Sequence, residues 1–168
     1  MNELQIKLYS AEYKDAISHL IINIQRGEFG IAITLEQQPD LQTIPDIYQK
    51  GNGNFWVALM NGNVVGTIAL IDIGQSQLAL RKMFVVEKFR GKEFGIAQAL
   101  LNTASAWMQK NNCSEVFLGT IEILKAAQRF YIKNGFEEIS KENLPSNFPI
   151  MKVDDRFFRK RLKLNGQR

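Results

Sequence analysis

The chain has 168 residues, of which 45% are hydrophobic and 23% charged, the size and composition of one folded domain with a real core rather than of a disordered segment. Its apolar stretches, such as Val64 to Ile73, are interrupted by residues like Gly66, Thr67 and Asp72 and fall short of the roughly 20 needed to span a bilayer. Met1 to Lys7 lacks the charged and apolar regions of a signal peptide, so a cytoplasmic protein without a membrane partner is expected.

One cysteine, Cys113, and one histidine, His19, exclude an intrachain disulfide and a conventional zinc site, and both read as structural. The net charge of +4 is concentrated in the run Arg156 to Lys163, which reads as a solvated chain end. Its Phe157 and Phe158 could stack on bases if exposed, but no nucleic-acid recognition motif accompanies them, and no nucleic-acid partner is expected.

In chain order, Leu4, Ile6 and Leu8 alternate with polar residues as in a strand. Apolar residues recur at helical spacing from Ala11 to about Arg26, and a shorter helix is expected from Asp40 to Gln49. Phe55 to Met60 and Val64 to Ile73 read as strands joined by Asn61-Gly62-Asn63, a strong hairpin signal. Gln77 to Val86 completes an antiparallel meander. A helix then runs to Lys110, followed by a short strand at Val116 to Leu118. Leu124 to Lys133 is a helix stopped by Asn134-Gly135. Phe136 to Ile139 and Ile150 to Val153 read as late strands. The order β-α-α-β-β-β-α-β-α-β-β predicts one domain over residues 1–168, an α/β (α+β) fold with helices on a mixed sheet.

The chemistry concentrates where the third long strand meets the helix after it. Phe89-Arg90-Gly91-Lys92-Glu93-Phe94-Gly95-Ile96-Ala97 is a basic, glycine-containing loop that opens into a helix. Unpaired N–H groups and the helix dipole there suit a diphosphate. The loop is neither a P-loop nor the Gly-x-Gly-x-x-Gly dinucleotide fingerprint.

This stretch resembles the Arg/Gln-x-x-Gly-x-Gly/Ala pyrophosphate motif of the GNAT acyltransferase superfamily in two registers. Arg90 to Gly95 keeps the Arg and the last Gly; Lys92 to Ala97 keeps Gly-x-Ala, with Lys in the Arg position. A second block, Ala127-Gln128-Arg129-Phe130-Tyr131-Ile132-Lys133-Asn134-Gly135-Phe136, is similar to the family's A-x-x-F-Y-x-x-x-G-F segment. The resemblance covers roughly Phe55 to Val153. It implies a mostly antiparallel mixed sheet flanked by helices on both faces, and transfer of an acetyl group from acetyl-CoA to an amine of a small molecule or peptide by direct attack.

On that resemblance, the loop from Arg90 through Gly91, Lys92, Glu93, Phe94, Gly95, Ile96 and Ala97, together with Gln128 and Lys133, would hold CoA. The exposed backbone of Met83, Phe84 and Val85 would pair with its pantetheine. Tyr131 would protonate the departing sulfur, and homodimers are common in the family.

The general base is open among Glu28, Glu122 and a water relay. Arg81 and Lys82, adjacent on a strand, are expected to point to opposite faces, Arg81 with Ala79, Met83 and Val85. Arg81 either binds an anionic group on the acceptor or sits in a structural salt bridge. A non-catalytic acyl-CoA-binding module is the alternative to an enzyme.

Overall fold

A computed structural model describes residues 3–163. Among these residues, seven strands form one sheet in the order β1-β2-β3-β4-β5-β7-β6. They are β1 (Leu4–Leu8), β2 (Asn54–Met60), β3 (Asn63–Gly74), β4 (Gln77–Val85), β5 (Glu115–Thr120), β6 (Glu137–Ile139) and β7 (Arg156–Arg161). Every pairing is antiparallel except β4 with β5. The expected mixed, mostly antiparallel sheet with helices on both faces is what the chain forms.

The β2–β3 hairpin turns at Asn61 and Gly62, both with positive φ, 52° and 84°. Asn and Gly are the residues that tolerate this conformation. Every residue of β2 is buried, because helices cover both faces of the sheet at that strand. On one face, α3 (Ile96–Lys110) and α4 (Lys125–Lys133) pack Leu100, Ala104, Met108 and Tyr131 against Trp56, Ile68, Leu80 and Leu118. On the other, α1 (Lys14–Ile22) packs Ile17, Leu20 and Ile21 against Phe55, Val57, Leu59 and Ala69. Cys113 is buried in the first of these clusters, and His19 lies on the exposed side of α1.

Two elements depart from the sequence expectation. The Asp40–Gln49 helix is a 3₁₀ turn, Pro39–Gln42, and a single α-turn, α2 (Ile44–Ile47). Pro45 sits in the first turn of α2, where its missing N–H costs nothing, so the chain breaks at Thr43 and restarts.

The second departure concerns the chain end. Ile150 to Val153 forms a turn rather than a strand, and the last strand is the basic run itself. β7 inserts between β5 and β6. Its arginines pair with carboxylates, Arg159 with Glu137 at 2.6 Å and Arg156 with Glu122 at 2.9 Å and Glu138 at 3.1 Å. Phe157 and Phe158 alternate into the two faces of the core, so neither ring is available to stack on a base. The segment has an apolar period of its own, hidden by its charges. Phe158, fully buried, should cost about 3–5 kcal/mol on change to Ala. A denaturation midpoint for Phe158→Ala close to that of the unaltered protein would contradict its place in the sheet.

Candidate active site

Parallel pairing of β4 with β5 spans only Gln77–Ala79 and Glu115–Phe117. Immediately beyond it, β4 carries a bulge: Ala69 faces Arg81 and Thr67 faces Phe84, so Lys82 and Met83 oppose Ile68 alone. Lys82 has φ +54°, in the left-handed region, and its carbonyl accepts a 2.6 Å hydrogen bond from the Thr67 hydroxyl. A bulge bends and over-twists its strand. Here the two strands part, leaving the edge of β4 from Leu80 onward unpaired on the β5 side, over a gap that opens through the sheet.

The bulge also changes which side chains share a face. Arg81 and Lys82 do not point to opposite sides; both turn toward the face that carries α1 and the Pro39–Gln42 turn, where Lys82 reaches Gln38 and Asp40. Met83 packs with the α3 and α4 cluster and Phe84 with the α1 cluster. The alternation that would set Arg81 with Met83 and Val85 is broken by the extra residue.

Beyond β4 the loop Arg90–Gly95 leads into α3. Gly91 and Gly95 have φ +114° and +62°, conformations glycine adopts without strain. The Phe94 and Gly95 N–H groups close the loop onto the Gly91 carbonyl, and Phe94 stacks edge-on against Phe89. The first-turn N–H groups of α3, at Ile96, Ala97 and Gln98, precede the first intrahelical bond, Ala99 N–H to the Gly95 carbonyl. Lys92 and Lys133 flank this mouth together with Gly91, Gly95 and Ala97. The side chain of Phe94 packs into the core instead, and Ile96 is buried. Gln128 donates to the carbonyls of Ile121 and Glu122, tying α4 to the end of β5, and is turned away from the mouth.

A cleft of about 490 Å³ runs from there along Met83, Phe84 and Val85, walled by Ala127, Phe130 and Tyr131 of α4 and by Ile24, Gln25, Glu28 and Phe29. Ile24, Gln25 and Glu28 belong to a π turn, Asn23–Glu28, that continues α1, and Phe29 caps it. Glu28 is committed: Arg90 binds it through both guanidinium nitrogens, at 2.5 and 2.7 Å. The Arg90 Nε donates to the Val85 carbonyl at 2.7 Å, so one backbone group of the free edge is already used. A narrow cleft with an open strand edge, ending at a ring of N–H groups and lysines, fits an extended ligand that terminates in a diphosphate.

A second, smaller cavity of about 120 Å³ lies in the gap, lined by Arg81, Lys82, Asp154, Tyr131, Gln25 and Thr120 among mostly apolar walls. Tyr131 and Gln25 line both spaces. Burial, then the charge of Asp154, pushes the phenol of Tyr131 well above the ordinary value, so the group stays protonated.

Asp154 rests on Gly119 of β5 so closely that a β-carbon there would meet its Oδ2 at 2.5 Å. Burial raises its carboxyl to about 6, with Arg81 pulling the other way. Lys82 is lowered to about 8 by burial, and its ammonium donates to Gln38 at 2.6 Å with Asp40 at 3.5 Å. Gln38 exchanges amide hydrogen bonds with Gln25, and Tyr48 donates to Asp40. Glu122 is exposed and tied to Arg156 and Lys125; these hydrogen bonds hold its carboxyl below the usual range, which makes it a poor base.

Of the sequence-expected residues, the fold brings Arg81, Met83, Phe84, Val85, Arg90, Ala97 and Tyr131 to the two spaces and Gly91, Lys92, Gly95 and Lys133 to the mouth. It does not bring a free Glu28. Asp154, which the sequence reading passed over, is the carboxylate in the gap.

This architecture is that of acyl-CoA-dependent N-acyltransferases. A family model described as the acetyltransferase (GNAT) domain matches residues 51–138. A crystal structure of a GNAT-family acetyltransferase from Staphylococcus aureus Mu50 superposes with a TM-score of 0.92 and 40% identity, covering 96% of this chain and all of that one. N-acetylaspartate synthetase of Danio rerio is 38% identical over 104 residues, 61% of this chain and 36% of that protein, so the chain spans about a third of this curated relative. The PaiA N-acetyltransferase of Thermoplasma acidophilum, solved with coenzyme A, shares the fold at a TM-score of 0.70 and 17% identity, covering 95% of this chain and 99% of that one. The chain belongs to the GNAT acetyltransferase family, and acetyl-CoA is the co-substrate its cleft fits.

The Asp154 carboxyl offers a test of the site's electrostatics. A carboxyl raised from 3.8 to about 6 on folding stabilises the native state below pH 4, and that contribution is lost as pH rises through 6. Asp154→Asn should therefore match the unaltered protein near pH 4 and exceed its stability by on the order of 2–3 kcal/mol near pH 8. Denaturant melts at the two pH values check this; a variant less stable at pH 8 than at pH 4, relative to the parent, would contradict it.

Proposed function

We propose that the protein transfers the acetyl group of acetyl-CoA to a primary amine of a small molecule or peptide by direct attack within a ternary complex. The observation that carries this reading is the meeting, on one cavity in the gap between β4 and β5, of the Tyr131 phenol, kept protonated, and the Asp154 carboxyl, raised to about 6. One is a proton donor and the other an acceptor, and the gap is where the pantetheine cleft ends.

The loop N–H groups, Lys92 and Lys133 hold the diphosphate, and the free edge of β4 at Met83 and Phe84 aligns the pantetheine as an added strand. Arg90 stands at the junction of cleft and loop. Acetyl-CoA supplies an activated thioester carbonyl. The acceptor enters as the neutral amine; its nitrogen forms a bond to the carbonyl carbon, Asp154 takes the proton that this nitrogen loses, and the carbon–sulfur bond breaks. Tyr131 gives its phenolic proton to the departing sulfur and is reprotonated from solvent. The products are an amide and a free thiol. Glu28, neutralised by Arg90, has no part in the proton transfers. Arg81 is the acceptor's anchor.

Release of free thiol from acetyl-CoA, screened over an amine library, tests the reading. Tyr131→Phe should lower kcat by about 10²–10³ with little change in KM for acetyl-CoA. Because base and amine must both lose protons, log kcat/KM should climb with slope 2 below pH 6 and slope 1 above it. Asp154→Asn should leave slope 1 throughout, at a lower rate. Tight acetyl-CoA binding with no thiol release from any amine would sink the enzyme reading and leave an acyl-CoA-binding module.

A further inference from the structure

Of the two cations on the gap, Arg81 is the one that makes no ion pair: Asp154 feels its charge only from beyond contact distance. Its only hydrogen bond among the described residues goes to the Met151 Sδ, at 2.8 Å, and no carboxylate lies within ion-pair distance. A thioether is a weak acceptor, whereas a guanidinium presents five N–H donors in a fork shaped for a carboxylate. The other cation on the cavity, Lys82, is used up by Gln38 and Asp40, and its side chain is 4% exposed.

The remaining walls include Gln25, whose amide is bonded both ways to Gln38, and Thr120; the others, Ile31, Ile33, Ile121, Leu124, Phe148 and Val153 among them, are apolar. At about 120 Å³ the cavity is slightly smaller than the roughly 150 Å³ apolar cavity that holds one benzene molecule. It takes one side chain of ordinary size. Among the described residues the only carboxylate on its lining is Asp154.

We infer that the acceptor is a free α-amino acid with a single carboxylate and an apolar side chain of leucine or methionine size. The inference rests on the acetyltransferase reading and names its substrate class. Arg81 takes the α-carboxylate in place of Met151, Asp154 faces the α-amine, and the apolar walls enclose the side chain. Reaction follows the scheme above: nitrogen to carbonyl carbon bonded, carbon to sulfur broken, the amine proton to Asp154 and the Tyr131 proton to sulfur.

The geometry selects against the other amine classes. An acidic side chain would be buried with no second free cation to meet it, at a cost of several kcal/mol. A peptide N-terminus has a neutral amide where Arg81 needs a carboxylate. A polyamine would need further anions on a lining that has only Asp154. N-acetylaspartate synthetase, by its name, makes the product of a dicarboxylic amino acid. The inference therefore separates this chain from that relative in specificity.

The test compares initial rates of thiol release at saturating acetyl-CoA for L-leucine, L-methionine, L-aspartate, isopentylamine, leucinamide and spermidine. L-leucine or L-methionine should exceed isopentylamine and leucinamide by about 10²-fold in kcat/KM, the worth of a charge-assisted bidentate contact, and L-aspartate by at least as much. In Arg81→Met the ratio of leucine to isopentylamine should fall to within a few-fold of one, mostly through KM. Aspartate, spermidine or isopentylamine turning over as well as leucine would overturn the substrate class while leaving the acetyltransferase reading intact. Silence with every amine would overturn both. The wild-type panel decides the question even where Arg81→Met does not fold.

Discussion

A strand that stayed regular through Lys82 could not part from its neighbour at the point where β4 leaves β5. The single extra residue in β4 sets Lys82 at positive φ, breaks the ladder to β3 and is followed at once by an unpaired edge. Three consequences follow from that one insertion. The sheet opens, so a ligand can lie against backbone that would otherwise be paired. Arg81 and Lys82 come to one face, and Tyr131 from the opposite face reaches the same space. A non-glycine residue in the left-handed region carries strain, and the Thr67 hydroxyl and the Gln38 and Asp40 contacts hold Lys82 there.

A similar irregularity sits across the gap. The end of α1 widens into a π turn, with the Phe29 N–H reaching back to the Ile24 carbonyl. The widened turn sets Gln25 over the gap and Glu28 over the mouth of the cleft. The two irregularities are joined through Gln38, which bonds Gln25 on one side and Lys82 on the other. Polar groups that would be costly alone in the core are thus satisfied as one network. Arg81, bonded to the Met151 sulfur, remains outside it.

The regular parts of this architecture are legible in the sequence because periodicity reports burial. Alternation in Leu4–Leu8, the Asn61-Gly62 turn and the 3.6-residue spacing through Ile96, Leu100 and Met108 each mark an element that the packing realises. The glycine loop before α3 is legible for another reason: Gly91 and Gly95 occupy positions where φ is positive. The bulge has no such mark. Its trace is a contradiction, two adjacent cations in a strand whose neighbours are apolar, and strand alternation resolves that contradiction wrongly. β7 was hidden by its charges, since Phe157 and Phe158 lie among arginines whose partners, Glu122, Glu137 and Glu138, come from other segments.

Asp154 was illegible for a more general reason. In sequence it is one of two adjacent aspartates after a turn, with nothing to separate it from a solvated pair. Its environment comes from elsewhere: Gly119 of β5 leaves space for its carboxylate, the Asp155 N–H and carboxylate clamp the turn to Thr120 and Glu122, and Arg81 arrives by way of the bulge. Glu28 stands in a glycine-bracketed loop that looks suited to a base, yet Arg90, 62 residues away, neutralises it. The charge state of a carboxylate is decided by what is folded against it. A site's acid and base are therefore the last of its features that local sequence can reveal, whereas its phosphate loop, built from backbone and glycine, is among the first.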